Sequence, residues 1–113
     1  MPIFRSSVTA SDFGSIPRSS YSETMQFIID ELKEAEELLP NREEYGSSDL
    51  GRASKGAARG MLARVMLYRL GTDAECSNTW QDLYAITNSI ITSGRYQLVP
   101  NYATLFEEIT DGD

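Results

Sequence analysis

The side chains of this chain that could perform acid–base chemistry are almost all carboxylates. Its 113 residues include 17 Asp and Glu, no histidine and a single cysteine, Cys76. A glycosidase needs two carboxyl groups at a suitable separation across the sugar bond that it cleaves. Most of the acids here lie on one predicted helix face or in loops, and such runs usually solvate a surface. We therefore predict no catalytic residue and no enzymatic activity.

The same residue types bear on metal and cofactor sites. Without histidine there is no His-based triad, general base or metal ligand. A lone Cys76 excludes an internal disulfide and a CxxC zinc site, and we expect it to be a semi-exposed thiol rather than a nucleophile. The Asp49 loop and the Asp-Gly-Asp of residues 111–113 lack the ligand spacing of an EF-hand. We predict no metal and no cofactor.

Aromatic side chains are the remaining candidates for ligand contact, since sugar faces stack on aromatic rings. The chain has six tyrosines, four phenylalanines and one tryptophan. Five of these residues fall in predicted helices, where we expect them to pack in the core: Tyr21, Phe27, Tyr68, Trp80 and Tyr84. Three more lie in loops or exits and could touch a ligand: Tyr45, Tyr96 and Tyr102. The pattern alone assigns a ligand-binding role to none of them.

Composition and charge limit the class of protein. The net charge of −7 argues against nonspecific binding to nucleic acid or to an anionic membrane surface. No stretch approaches the ~20 apolar residues of a membrane span, and Met1–Ser20 is polar and unlike a signal peptide. We expect an irregular lead-in over residues 1–20 and a helical scaffold over residues 21–113.

The segment from Ser54 to Leu70 is predicted to be the central helix. It has no proline and is rich in Ala, Leu, Met and Arg. We expect Ser54 to cap its start and Gly71 to adopt the left-handed conformation after its end. Its apolar positions cover more than one stripe, which predicts neighbours on two sides: Ala57, Ala58, Met61, Leu62, Val65, Met66 and Leu70. We expect Gly56 and Gly60 to let another backbone approach closely.

Two further helices are predicted on either side of it. Ser20 and Glu23 form a capping box, after which a stripe of helical period runs to Pro40: Tyr21, Met25, Ile28, Leu32, Ala35 and Leu39, widened by Ile29 and Leu38. Its outer face is acidic, whereas the central helix carries Lys55, Arg59, Arg64 and Arg69. The opposite charges favour an antiparallel pair.

The third helix is predicted to start at Thr79, with Asp82 at the capping-box position, and to end at Gly94. Its stripe is formed by Trp80, Leu83, Tyr84, Thr87, Ile90 and Ile91. Residues 95–100 should be extended, and residues 101–108 should form one or two helical turns. The polar connector over residues 41–52 is long for a helical hairpin, and we expect Tyr45 and Leu50 to fold back onto the helix pair.

Two stretches in this order, PRSSYSETMQFIIDELKEAEELLP and GRASKGAARGMLARVMLYRLG, resemble the SusD/RagB family of outer-membrane nutrient-binding lipoproteins. The later WQDLYAITNSIITSGRYQLVPNYATLF fits the same pattern. The matching positions are Arg18, Phe27, Ile28, Leu32, Ala35, Leu39, Pro40, Gly51, Arg52, Ala53, Lys55, Gly56, Ala57 and Ala58, and then Gly94, Tyr96, Leu98, Tyr102, Leu105 and Phe106. The resemblance covers the chain from about Pro17 onward.

The resemblance implies an all-α fold of tetratricopeptide-like antiparallel helix pairs, although no clean 34-residue repeat is visible. It also implies a surface lipoprotein of the outer membrane that binds glycans or other nutrients without chemistry. Such a protein delivers its ligand to a TonB-dependent (SusC-like) transporter. Family members are much longer, so we expect this chain to be an internal segment whose exposed faces meet the transporter. Because family ligand sites lie largely on other loops, no binding residue is carried over.

Two other functions remain open from the residues alone. The chain could be a free-standing helical module in the cytoplasm that binds a partner protein in a groove between helices. A carbohydrate-active enzyme is disfavoured, since the sequence shows no converging catalytic site.

Overall fold

The computed structural model describes residues 2–4, 7–12 and 14–106, and these form three α-helices and no strand. Helix α1 spans Tyr21–Leu38, α2 spans Lys55–Thr72 and α3 spans Trp80–Thr92. Short 3₁₀ helices occupy Arg42–Glu44, Ser47–Asp49 and Tyr102–Phe106. The all-α class with three main helices in a tetratricopeptide-like arrangement is confirmed. The division at residue 20 into a lead-in and a scaffold stays a prediction.

Local capping determines where α1 and α3 begin. The Glu23 backbone N–H donates to Ser20 Oγ at 3.1 Å, and the Ser20 N–H donates to Glu23 Oε2 at 2.8 Å. Thr79 and Asp82 make the same reciprocal pair at 3.2 and 2.7 Å. Each pair satisfies backbone donors that a helix start otherwise leaves free, so both predicted capping boxes are confirmed.

The ends of α2 differ from the prediction. Ser54 occupies the N-cap position, but its side chain makes no capping hydrogen bond. The helix continues through Gly71 to Thr72, because the Asp73 N–H still donates to the Arg69 carbonyl at 2.8 Å. The predictions of a Ser54 side-chain cap and a left-handed Gly71 are therefore wrong. Gly94 has the expected positive φ, +66°, after α3.

Helix α2 lies between α1 and α3 and contacts both, which confirms its predicted central position. The buried cluster takes its members from all three helices: Ile29 of α1, Leu62 and Met66 of α2, and Leu83 of α3. The apolar stripe of α2 is narrower than predicted, since Met61 is 53% exposed. Burial of this cluster provides the main apolar stabilisation of the bundle.

Helices α1 and α2 are antiparallel, as the charge pattern predicts. Near the end of α1, Glu36 Oε1 accepts from Arg59 Nε of α2 at 2.6 Å. At the opposite end, Ser22 Oγ donates to Asp73 Oδ1 at 2.6 Å. The short connector of residues 73–79 then returns the chain as α3.

The expected close approach of another backbone along the glycines of α2 is wrong. A Cβ built at Gly60 would meet nothing within 4 Å, so this residue faces open space. A Cβ at Gly56 would overlap the hydroxyl of Tyr96. The neighbour of Gly56 is thus a tyrosine side chain from the segment after α3, and helix–helix contact occurs on other faces of α2.

The prediction that the helical aromatic residues pack in the core is wrong for four of the five. Tyr21, Tyr68, Trp80 and Tyr84 are each more than half exposed, whereas Phe27 is half-buried. Leu50 is also exposed, so it does not fold back onto the helix pair. The buried volume is small, and aliphatic side chains fill it. None of the described helices is long and apolar enough to cross a membrane.

Candidate functional site

A groove of about 570 Å³ lies where the α1–α2 connector meets the segment that follows α3. Its volume is within the range of about 300–1,000 Å³ that is usual for small-ligand sites. We call it the tyrosine groove, and the described residues that line it are Arg42, Glu43, Tyr45, Leu50, Arg95 and Tyr96. It contains two of the three tyrosines that the sequence offered as ligand contacts.

The connector fixes one wall of the tyrosine groove. Residues 42–44 form a 3₁₀ turn, and the Tyr45 backbone N–H donates to the Arg42 carbonyl at 3.2 Å. The phenol of Tyr45 donates to the Ala53 carbonyl at 2.7 Å, which ties the side chain across the connector. This bond holds the ring in place against the connector, and the folding of Tyr45 onto the helix pair stays a prediction.

The segment after α3 supplies the other wall. Gly94, in its left-handed conformation, turns the chain out of the helix. Arg95 then forms an ion pair with Glu43 of the connector, and the Tyr96 hydroxyl lies over Gly56 at the start of α2. These contacts bring Tyr96 to the same groove as Tyr45, although both α2 and α3 separate the two residues along the chain.

Tyr102, the third tyrosine offered as a ligand contact, lies outside the tyrosine groove. Its ring packs edge-on against Phe106 with centroids 5.2 Å apart. The side chain is exposed. The structure therefore gives Tyr102 a neighbour within its own 3₁₀ helix.

Among the residues that the structure describes, the lining of the tyrosine groove carries more positive than negative charge. These residues supply two guanidinium groups and one carboxylate, and that carboxylate, Glu43, is paired with Arg95. Glu44 of the same turn accepts instead from Asn41 Nδ2 at 2.6 Å, and this hydrogen bond lowers the pKa of Glu44. Within the described part of the chain, Arg42 makes no ion pair. Arg42 is therefore available to an anionic ligand.

A second groove, of about 490 Å³, runs between α2 and α3, and we call it the apolar groove. Its lining residues are Ala63, Arg64, Leu67, Trp80, Leu83, Tyr84 and Thr87. Trp80 is 62% exposed and Tyr84 is 60% exposed. An apolar surface of this kind with exposed aromatic rings is typical of protein contact sites.

A buried polar network between α1 and α2 was not predicted from the sequence. Arg69, assigned there to the basic face, is 3% exposed and donates from Nε to Asp73 Oδ2 at 2.9 Å. It also donates from Nη1 to Gln26 of α1. The i,i+4 spacing of Arg69 and Asp73 was a visible signal. Because its members satisfy one another, the network ties helices together and leaves no group for a ligand.

The described residues contain no cluster of three His, Cys, Asp or Glu side chains that could hold a metal ion. Cys76 lies in the α2–α3 connector, half-buried, with Sγ 3.8 Å from the Asn78 carbonyl. This contact gives the thiol no base that would activate it.

Comparison with known proteins identifies the family. The sequence profile of SusD-like_3, described as starch-binding and associating with the outer membrane, matches residues 1–67. This range includes all of α1, the connector and most of α2. No curated protein and no solved structure gives a significant match. The match spans more than half of the chain, which therefore belongs to the SusD-like family of starch-binding proteins that associate with the outer membrane.

Proposed function

We propose that this chain is a non-catalytic part of a cell-surface lipoprotein that binds glycans or other nutrients. In this proposal it delivers them to a TonB-dependent transporter of the outer membrane. The observation that carries the proposal is the family match over residues 1–67, which includes α1 and most of α2. Starch binding and association with the outer membrane are properties of that family. The proposal adds one step to them, the transfer of the bound nutrient to a transporter that takes it up.

The composition of the tyrosine groove supports binding without hydrolysis. Both families of mechanism that cleave glycosidic bonds with protein carboxyl groups use a pair of them. Glu43 is the one carboxylate among the described residues that line this groove, and it is already paired with Arg95. The tyrosine rings, in contrast, offer surfaces on which a sugar ring can stack.

The apolar groove supports the proposed contact with a transporter. Exposed Trp80 and Tyr84 side chains are of the type that dominates binding energy in protein interfaces. Arg64 lies at the same groove and could pair with an acidic side chain of the partner. We therefore place the transporter contact on α2 and α3 in this proposal.

The test uses the complete reading frame, tagged at its own locus in the host cell. We expect the protein in the outer-membrane fraction, digested by protease added to intact cells, and co-purifying with a TonB-dependent barrel. Deletion should abolish growth on one glycan, and purified protein should bind that glycan without releasing reducing ends. Tyr84→Lys should weaken co-purification, whereas Leu38→Lys, an exposed position on α1, should leave it unchanged.

The opposite results distinguish the alternatives. Recovery of the protein in the cytosol would overturn the proposal and favour a helical module that binds a cytoplasmic partner. Release of reducing ends that disappears with a single carboxylate substitution would show an enzyme. Equal co-purification of the Tyr84 and Leu38 variants would move the transporter contact away from the apolar groove.

A further inference from the structure

The tyrosine groove is lined by positively charged side chains, which are not needed to bind a neutral glucan. The glucose residues of starch carry hydroxyl groups and ether oxygens but no charged group, and neutral hydrogen-bonding groups recognise them as well as charged ones do. The groove instead contains two arginines in a chain whose net charge is −7. One of them, Arg42, forms no ion pair with a described carboxylate and lies beside two tyrosine rings.

We propose that the tyrosine groove binds a sugar residue that carries an anionic group, either a carboxylate or a sulfate, with Arg42 as its principal partner. The inference rests on the proposed function, because it specifies the ligand class of a glycan-binding protein. The guanidinium of Arg42 presents a planar fork of N–H donors that matches the two oxygens of such an anion.

Each wall of the groove has a distinct part in this recognition. The rings of Tyr45 and Tyr96 supply the surface for the sugar ring, with the Tyr45 phenol held by the Ala53 carbonyl. Arg95 is paired with Glu43, so a carboxylate already faces its guanidinium. Arg42 is thus left as the cation that can exchange water for a ligand anion.

The nearby charges do not cancel this preference. Glu44 is engaged with Asn41, and Arg52 forms its own pair with Asp49 at 2.9 Å. Neither residue lines the groove. The described part of the lining therefore has one more positive than negative charge, which favours an anion over a neutral or a cationic ligand.

The test is calorimetric titration of the protein, expressed from its complete reading frame, with three oligosaccharides of equal length. These are an oligogalacturonide, a sulfated glycosaminoglycan fragment and a malto-oligosaccharide. We expect one of the two anionic ligands to bind, and which of them binds identifies the anionic group. Its affinity should fall as NaCl rises from 50 to 500 mM, because salt screens the charge interaction.

Variants then locate the site. Arg42→Gln should weaken binding of the anionic saccharide about tenfold, the loss expected for a charged hydrogen bond. Arg42→Lys should lose less because it keeps the charge. Arg52→Gln, the same charge change on the same connector outside the groove, should bind normally. Circular dichroism of each variant establishes that it is folded.

The results distinguish failure of the anionic-ligand proposal from failure of the proposed glycan-binding function. If the malto-oligosaccharide alone binds and Arg42→Gln has no effect, the anionic groove is overturned while the proposed glycan-binding function stands. If Arg42→Gln and Arg52→Gln weaken anionic binding equally, the ligand responds to overall charge and the location is overturned. If folded protein binds no saccharide of any class, both proposals fail.

Discussion

Replacing Arg69 by methionine tests whether the buried polar network stabilises the α1–α2 pair. Methionine keeps an unbranched apolar side chain, shorter than that of arginine, and removes the guanidinium. Two hydrogen bonds are lost, one to Asp73 Oδ2 at 2.9 Å and one to Gln26 of α1. Because Arg69 is only 3% exposed, water cannot readily replace either bond.

The expected loss can be worked from these contacts. Breaking a buried ion pair by removing one partner costs about 3–5 kcal/mol, mostly because the other charge is left uncompensated. Asp73 keeps two donors, the Ser22 hydroxyl at 2.6 Å and the Glu75 N–H at 3.1 Å. The loss should therefore lie near the lower limit, about 3 kcal/mol of the free energy of unfolding.

Urea denaturation followed by circular dichroism and by Trp80 fluorescence measures this loss. A 3 kcal/mol decrease lowers the midpoint by about 1–3 M at the usual slopes for small proteins. The control is Arg64→Met, at an exposed position of the same helix, which should change stability by less than about 0.5 kcal/mol. Equal midpoints for Arg69→Met and the natural protein would refute the reasoning. Adding Gln26→Leu to Arg69→Met should recover part of the loss, because it removes the amide oxygen that the first change leaves without its donor.

Three further predictions concern the glycines, the core and the caps. Gly60→Ala should raise stability by about 0.5–1 kcal/mol in thermal melts, since it faces open space within a helix, whereas Gly56→Ala should not, because its Cβ would displace the tyrosine hydroxyl above it. Leu62→Ala should lower stability by about 2–5 kcal/mol in urea titrations, and a smaller loss would mean that the core collapses onto the cavity. Backbone hydrogen bonds at the caps lower the pKa of Glu23 and of Asp82, so the folded state binds fewer protons than the unfolded state. The stability that the caps contribute should therefore be complete above about pH 5 and be lost as the pH drops through the folded pKa values. Thermal melts between pH 2 and 7 measure it, and a pH dependence of stability that is unchanged in Glu23→Gln would contradict this origin.

Helix starts could be predicted from the sequence because their causes are local. The capping boxes at Ser20 and Thr79 involve residues three apart, and both were identified correctly. The end of α2 could not be predicted in the same way. A glycine at position 71 favours a stop, but the helix stays hydrogen-bonded past it to Asp73, whose side chain also pairs with the buried Arg69.

Helical periodicity indicated which face of α1 is buried but not how completely each residue on that face is buried. Ile29 entered the prediction as a widening of the stripe, yet it is fully buried, whereas Leu38 of the same set is 75% exposed. The difference depends on where α2 crosses α1, which no local pattern contains. The burial of the aromatic side chains on the helices was overestimated for the same reason. Three helices enclose space for only a few large side chains.

For the tyrosine groove too, the sequence indicated which residues could contact a ligand but not where they lie in the fold. The sequence offered Tyr45 and Tyr96 as ligand contacts because both lie outside the helices. Their common location depends on the turn at Gly94 and on the long-range pair between Arg95 and Glu43. The charged residues of the groove had no pattern in the sequence that would distinguish them from ordinary surface charges.

The polar contacts between α1 and α2 also determine how the two helices are aligned along their length, and this alignment sets the position of the tyrosine groove. A core of a few aliphatic side chains can accept more than one register, because hydrophobic contacts are not directional. Sliding α1 by one helical turn, about 5.4 Å, would break the Ser22–Asp73 bond and the Glu36–Arg59 pair at opposite ends of the interface. It would also separate Gln26 from Arg69 and leave a buried guanidinium with one partner fewer. The pairs therefore select one register, and that register fixes both ends of the connector that carries Arg42 and Tyr45.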